Sequence, residues 1–287
     1  MDPIEAYIDL HTHSTESDGM LSPEALMELA AQQQLAAIAL TDHDTVSGLP
    51  AARRAAERLG IELVPGIELS TDYCGTEVHI LGYYIEEANA AFLGRVQEFC
   101  DAREERNKKM VLRLQEEGFD FTYEELRAAF PDSVLTRAHF ARFLADRGYV
   151  RNMDAAFRQY IGNSCRCYVP RERITPMEAV SLIHEGGGLA FFAHPMLCSM
   201  GTDSLEALVA SLKDHGLDGL EGIYSTYTAR QERIVGDLAE KYTLLISGGS
   251  DFHGSNKPDI RLGVGRGHLR IPYCCLQRIK DKKALLS

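Results

Sequence analysis

The chain has no tryptophan, no CxxC pair and no hydrophobic run long enough to cross a bilayer. Its longest apolar stretches, LAAIAL at 35–40 and LAFFA at 189–193, fall well short of the roughly 20 residues a membrane helix requires. The opening MDPIEAYIDL lacks a basic segment followed by an apolar core, so no secretory signal is visible. The seven cysteines, at 74, 100, 165, 167, 198, 274 and 275, are odd in number and irregularly spaced. Cys165-x-Cys167 and Cys274-Cys275 do not have the spacing of a thiolate zinc module. No disulfide scaffold is expected, and a reducing cytoplasm is the expected location. Positive charge is also scarce: 30 Lys and Arg stand against 42 Asp and Glu, a net charge of −12. Coating long duplex DNA by bulk charge needs a basic surface, so that class is excluded. A local basic pocket for a short phosphorylated ligand is not.

What is present is 287 residues with 45% hydrophobic content, enough for one (β/α) barrel or two average domains. Strand-like segments at 6–11, 36–42, 61–69 and 77–85 alternate at first with helical ones. The first helix opens with Ser22 as N-cap, Pro23 at its first position and Glu24 in its first turn. A second helix, 49–59, stops at Gly60. The pattern then changes to helix alone. A charged stretch over 90–117, whose part from 101 onward reads as a solvated face, ends at Gly118. Thr122 and Glu125 have capping-box spacing, and further helices fit 136–147 and 153–161. Alternation resumes with strands at 189–194, 219–225 and 243–251, separated by helices. Seven strands with intervening helices predict an α/β fold with a parallel sheet, open or closed into a barrel. The expected division is a barrel formed by 1–89 and 169–287, with a helical insertion at 90–168 that caps the substrate.

Chemistry gathers at the strand ends. Among the ten histidines, His11 and His13 end strand one, His43 follows strand two, His79 lies early in strand four, His194 ends strand five and His253 follows strand seven. Asp18, Glu68 and Asp251 are acidic residues in equivalent places. Residues two apart in extended chain share a face, so His11-x-His13 can clasp one cation. A His/carboxylate set without thiolates suits Mn²⁺, Zn²⁺ or Fe²⁺, and barrel enzymes carry their reactive groups at the C-terminal strand ends. Asp42 and Asp44 either orient a neighbouring histidine or cap the helix that follows. His184, His215 and His268 read as surface or helix-end residues, and Gly186–Gly188 as a tight helix-to-strand turn.

Together DLHTHSTESDG, TDHD, GIELS, VHILG, FFAHP and GSDFHG resemble the PHP (polymerase and histidinol phosphatase) family of metallophosphoesterases, in family order from residue 9 to 254. The resemblance implies a distorted (β/α)7 barrel with three divalent metals, Mn²⁺ favoured. His11, His13, Glu68 and Asp251 would hold one; Glu68, His79 and His194 a second; Asp18, His43 and His253 the third. TRAHFARFLADRG at 136–148, followed by FRQYIG and YVP, resembles the TrpH-like branch. That branch comprises 3′,5′-nucleotide bisphosphate phosphatases that also act as 5′→3′ exoribonucleases on short RNA. By the same resemblance Arg137 and His139 would contact substrate phosphate and take part in catalysis. Cys165 stands where relatives carry a lysine, with Arg166 beside it as a substitute cation. Two other readings remain: a histidinol-phosphate phosphatase, against which the TRAHFAR segment speaks, and an inactive metal-binding PHP interaction module, against which the full ligand set speaks.

Overall fold

The computed structural model describes residues 6–131, 133–170 and 174–286. Eight strands form one sheet: β1 (Tyr7–Asp9), β2 (Ala37–Leu40), β3 (Glu62–Tyr73), β4 (Thr76–Tyr83), β5 (Leu189–Phe192), β6 (Gly219–Tyr224), β7 (Leu245–Gly249) and β8 (Ile271–Pro272). Their order is β7-β6-β5-β4-β3-β2-β1-β8. The chain leaving β1 meets β7 where the Leu10 N–H donates to the Gly248 carbonyl at 3.1 Å and Thr12 bridges Phe252, so the sheet curls into a barrel with β8 on the outer side of β1. All seven expected strands are found; β8 was not foreseen, being two residues long and antiparallel to β1.

The sheet is mixed, and this corrects the expectation of parallel strands. β4 runs antiparallel to both β3 and β5. The cause is local. Cys74 and Gly75, at φ 52° and 82°, form a two-residue turn between β3 and β4. A parallel return would need a crossover of about a dozen residues.

The helices are α1 (Pro23–Gln32), α2 (Leu49–Leu59), α3 (Ala90–Glu116), α4 (Tyr123–Ala129), α5 (Arg137–Asp146), α6 (Met153–Ala156), α7 (Pro176–Glu185), α8 (Thr202–Asp214), α9 (Ala229–Lys241) and α10 (Tyr273–Ala284). Their ends follow the sequence signals. The Ser22 side chain accepts from the Ala25 N–H, Gly60 stops α2 at φ 69°, and Thr122 and Glu125 close a capping box on α4. A π-helical turn, Phe157–Ile161, follows α6. Among the described residues no helix is long and apolar enough to cross a membrane.

Strand alternation sorts the core into two layers. Ile8, Leu10, Ala39, Leu81, Tyr83 and Phe191 fill the barrel. Ile38, Leu40, Ile67, Ile80 and Phe192 face outward onto helices through residues such as Leu26, Ala52, Ile183 and Leu208. Each buried Leu, Ile or Phe among them contributes about 1.5–3 kcal/mol. The helices between β4 and β5 have an apolar cluster of their own, including Met110, Leu114, Phe121, Phe140, Leu144 and Ile161. They dock on the loop after β1. The Val134 N–H donates to the Glu16 carbonyl at 2.8 Å, and the Thr136 hydroxyl to Asp18 Oδ2 at 3.0 Å. The charged face of α3 is only partly solvated: Arg103 and Arg106 are buried, and Arg103 pairs with Asp44 and Ser70.

Gly249, at the seam, has no room for a side chain. A Cβ there would lie 2.1 Å from the Cβ of His11 and 2.6 Å from its nitrogen. Gly94, exposed in α3, has nothing within 4 Å. Urea denaturation should show Gly249→Ala losing about 3 kcal/mol by overpacking. Gly94→Ala should gain up to about 1 kcal/mol of helix propensity. Equal effects at the two sites would show that the seam is not tightly packed.

Candidate metal centre

The barrel brings the nine histidines and carboxylates named at the strand ends into one cluster. Their donor atoms fall into four overlapping groups: His13, Asp18, His43 and His253; His11, Glu68 and His194; His11, His13 and Asp251; His43, Glu68 and His79. Within each group the atoms lie within 4.8 Å of one another. Glu68 is central. Its Oε1 lies 2.9 Å from His79 Nδ1 and 3.1 Å from His194 Nε2. Its Oε2 lies 3.2 Å from both His11 Nε2 and His13 Nε2, and 3.1 Å from His43 Nδ1. Asp251 Oδ1 approaches His13 Nε2 at 3.4 Å and His253 Nδ1 at 3.2 Å. Asp18 Oδ1 approaches His253 Nε2 at 3.1 Å. His79 belongs to this end of the barrel because β4 runs backwards: its beginning lies beside the far end of β3, with His79 paired to Ser70.

A shell of groups not singled out from sequence holds these side chains. Glu221 on β6 meets His11 Nδ1 at 2.9 Å and accepts the His194 backbone N–H at 2.7 Å. Fixing one ring nitrogen of a histidine aims the other, the usual arrangement behind a metal ligand. Asp251 Oδ2 accepts from the Tyr224 hydroxyl at 2.5 Å and from Lys257 Nζ at 2.6 Å, leaving Oδ1 toward the cluster. Asp9, pushed up to about 6 by burial, accepts the backbone N–H of Ser250 and Gly263 beneath the site. His194 and Asp251 both sit at positive φ, 31° and 56°. Such backbone costs about 1–3 kcal/mol per residue and persists where the surroundings fix it. Asp42 accepts from the Ser14 N–H and the Ser14 and Ser17 hydroxyls, and Asp44 from the Ser70 N–H and Arg103. Both therefore brace loops, and the N-cap position of α2 is Gly48.

The residues fit divalent cations. His11 Nε2, His13 Nε2, His43 Nδ1, Asp18 Oδ1 and Glu68 Oε2 are all buried with no well-aligned hydrogen bond. Buried polar atoms without partners are costly, and their convergence on one another marks places for cations. The electrostatics agree. Burial opposes ionisation of Asp18, Glu68 and Asp251. The surrounding imidazoles, joined by Lys257 at Asp251, nevertheless hold all three well below the ordinary carboxylate range. Burial would lower His13 and His79, but Asp251 and Glu68 around His13, and Glu68 and Glu77 around His79, raise both to about 9. Burial takes His43 the other way, to about 3. The carboxylates are ionised and draw positive charge.

Beside the cluster lies a cleft of about 140 Å³, walled by Asp18, His43 and His79 on the barrel and by Arg106, Arg137 and Phe157 on the helical segment. Arg137 Nη2 donates to Glu77 Oε2 at 2.7 Å, and its guanidinium lies over the rings of Phe157 and Tyr168. Arg137 and His139 are not brought together. His139 does not line this cleft; it is buried against Phe130, and its Nδ1 accepts the Thr136 backbone N–H at 2.9 Å, capping α5. Burial lowers it to about 4. Arg166 is exposed, pairs with Glu117 at 3.0 Å and lies outside the cleft lining; Cys165 Sγ points to the Phe157 and Arg158 carbonyls.

Known proteins are similar to this chain in sequence and fold. A 5′-3′ exoribonuclease of Haemophilus influenzae is 36% identical over 245 residues, 85% of this chain and 89% of that one. A 3′,5′-nucleoside bisphosphate phosphatase of Chromobacterium violaceum is 34% identical over 249 residues, 86% of this chain and 87% of that one. A crystal structure assigned as a metal-dependent phosphoesterase of Bifidobacterium adolescentis superposes with a TM-score of 0.87 at 27% identity, covering 98% of each chain. The PHP domain profile matches residues 9–161. The order of the motifs, the mixed barrel and these relatives agree: the chain belongs to the PHP domain family.

Proposed function

We propose that this protein is a metal-dependent phosphoesterase that removes the 3′-phosphate from 3′,5′-nucleotide bisphosphates and trims short 5′-phosphorylated RNA from its 5′ end. One observation carries the reading: the Glu68 carboxylate divides between two sets of histidines, Oε1 toward His79 and His194, Oε2 toward His11, His13 and His43. A carboxylate so placed suits a bridge between cations. In this reading His11, His13, Glu68 and Asp251 hold one metal, Glu68, His79 and His194 a second, and Asp18, His43 and His253 a third, with Mn²⁺ favoured over Zn²⁺ or Fe²⁺. Bound divalent ions would supply a nucleophile from water at neutral pH and neutralise phosphate charge. The chain's own residues do the rest. Arg137, at the cleft, binds phosphate oxygens through its planar fork, exchanging Glu77 for substrate. His139 acts through Thr136: it holds the backbone of the residue whose hydroxyl donates to Asp18. Residues 90–168 form the roof of the cleft and limit the length of RNA that enters. The substrate class is supported by the names of the two relatives, and a cytoplasmic setting by seven free thiols.

The test is to load the protein with Mn²⁺ and supply adenosine 3′,5′-bisphosphate, a 5′-phosphorylated oligoribonucleotide and histidinol phosphate in parallel. AMP and phosphate from the first and 5′-mononucleotides from the second are expected. Phosphate from histidinol phosphate alone, or from nothing while metal is bound, overturns the reading.

A further inference from the structure

A second cavity of about 390 Å³ opens on the other side of the metal cluster, and the proposed chemistry does not yet use it. Its wall includes Leu197, Tyr224, Lys257, Asp259, Ile260 and Arg266, and no residue of 90–168. It begins at the cluster itself: the Tyr224 hydroxyl and Lys257 Nζ both reach Asp251 Oδ2, at 2.5 and 2.6 Å. Leu197 lies three residues after His194, and Lys257 four after His253, so the loops that carry these histidines also build the cavity. The chemistry is two-sided. Leu197 and Ile260 offer apolar surface, and Leu197, 49% exposed at the mouth, is one of few large apolar side chains left open among the described residues. Lys257 is already paired with Asp251, so Arg266 is the cation the cavity offers, with the carboxylate of Asp259 also in its wall. Arg266 is exposed and has no ion pair or side-chain hydrogen bond among the described residues. An apolar wall beside the unpaired Arg266 guanidinium, on a chain of net charge −12, is complementary to a nucleotide: a flat base on the wall and a phosphate at the guanidinium.

We propose that this cavity receives the nucleotide on the 3′ side of the bond cleaved in RNA. The inference rests on the phosphoesterase reading above. In that reaction the oxygen of water bonds to phosphorus and the bond from phosphorus to the 3′-oxygen of the first nucleoside breaks. The 3′-oxygen leaves with a proton, and the rest of the RNA stays attached to phosphorus through its 5′-oxygen. A nucleoside bisphosphate loses the same bond but carries nothing beyond the reacting phosphate. The first nucleotide lies under the helical segment, the reacting phosphate over the metals, and the departing RNA runs onto the uncovered side, where Arg266 meets the next phosphate. The cavity thus separates RNA from mononucleotide as substrates.

The experiment compares Arg266→Glu and Leu197→Ser with the wild type, all Mn²⁺-loaded, on adenosine 3′,5′-bisphosphate and on a 5′-phosphorylated tetraribonucleotide. Both side chains are exposed, and thermal melts confirm that the variants fold. The RNA is expected to show about a tenfold loss in kcat/KM, mostly as raised KM, as for removal of one charge-assisted phosphate contact or one stacking surface. The bisphosphate is expected to react at the wild-type rate. Equal loss on both substrates, or no loss on either, overturns the role of this cavity and leaves the phosphoesterase reading standing. A wild type inert on both overturns that reading instead.

Discussion

Glu68→Gln is expected to lower phosphate release from adenosine 3′,5′-bisphosphate on the order of 1,000-fold or more in kcat. The size follows from what the carboxylate does. Its two oxygens meet five imidazoles, those of His11, His13, His43, His79 and His194, and the group is fully enclosed. An amide has the same shape, but one of its two heavy atoms is a donor with no lone pair to offer a cation. It cannot serve both sets of histidines. Metal content after gel filtration should fall with activity, which separates lost ligation from a merely slower step. Glu68→Asp keeps the charge but shortens the reach, and should retain more metal than activity. Full metal content with near wild-type turnover in Glu68→Gln would end the bridging role.

Removal of metal should have the second large effect, read as a melting temperature. Five donor atoms buried without aligned partners are tolerable in a bound state and costly in a free one. A ligand at about 100 times its Kd adds about 2.7 kcal/mol to stability, which for a chain of this size corresponds to roughly 5–10 °C. Protein stripped with EDTA should melt lower by that margin and recover with Mn²⁺. The pH dependence has a definite sign. His13 and His79 are raised from 6.5 to about 9 by their carboxylates. The stability their protonation contributes to the stripped protein is complete below pH 6.5 and is lost as pH climbs through about 9. Metals need these rings deprotonated. The gap between loaded and stripped protein should therefore widen from pH 6.5 to 9. A gap that narrows over this window would show that protons and metals do not compete at these histidines.

Much of this was legible in the sequence because the cluster lies at strand ends, where alternation of helix and strand already fixes the position of each residue. His11, His13, Glu68, His194 and Asp251 could be placed by that argument alone. His79 could not, since it begins its strand. The missing signal was the linker: even with strands read as 61–69 and 77–85, the seven residues between them are too few for a crossover, and a reversal was implied. Glu221, Tyr224 and Lys257 escaped for another reason. Each is an ordinary residue type for its segment, and only the three-dimensional fold shows that Glu221 stands behind His11 and His194, and the other two behind Asp251. Arg103 and Arg106 were hidden in a charged helix, where sequence cannot tell the solvated face from the one turned toward Asp44 and the cleft. Arg137 and His139 are two residues apart in the motif, and residues at that spacing on a helix point to different sides, so only Arg137 reaches the cleft.

The hairpin of β3 and β4 has a further meaning for how the cluster is aligned. Pairing Ser70 with His79 puts Glu68, Ser70, His79 and Leu81 on one face of the ribbon, with Leu81 inside the barrel. A slip of a single residue would turn His79 and Glu77 out into the apolar layer under the helices, where Val78 and Ile80 now pack. The two-residue turn at Cys74 and Gly75 holds the hairpin in its observed alignment, so a tight turn at the far tip of the ribbon decides which imidazole stands beside Glu68.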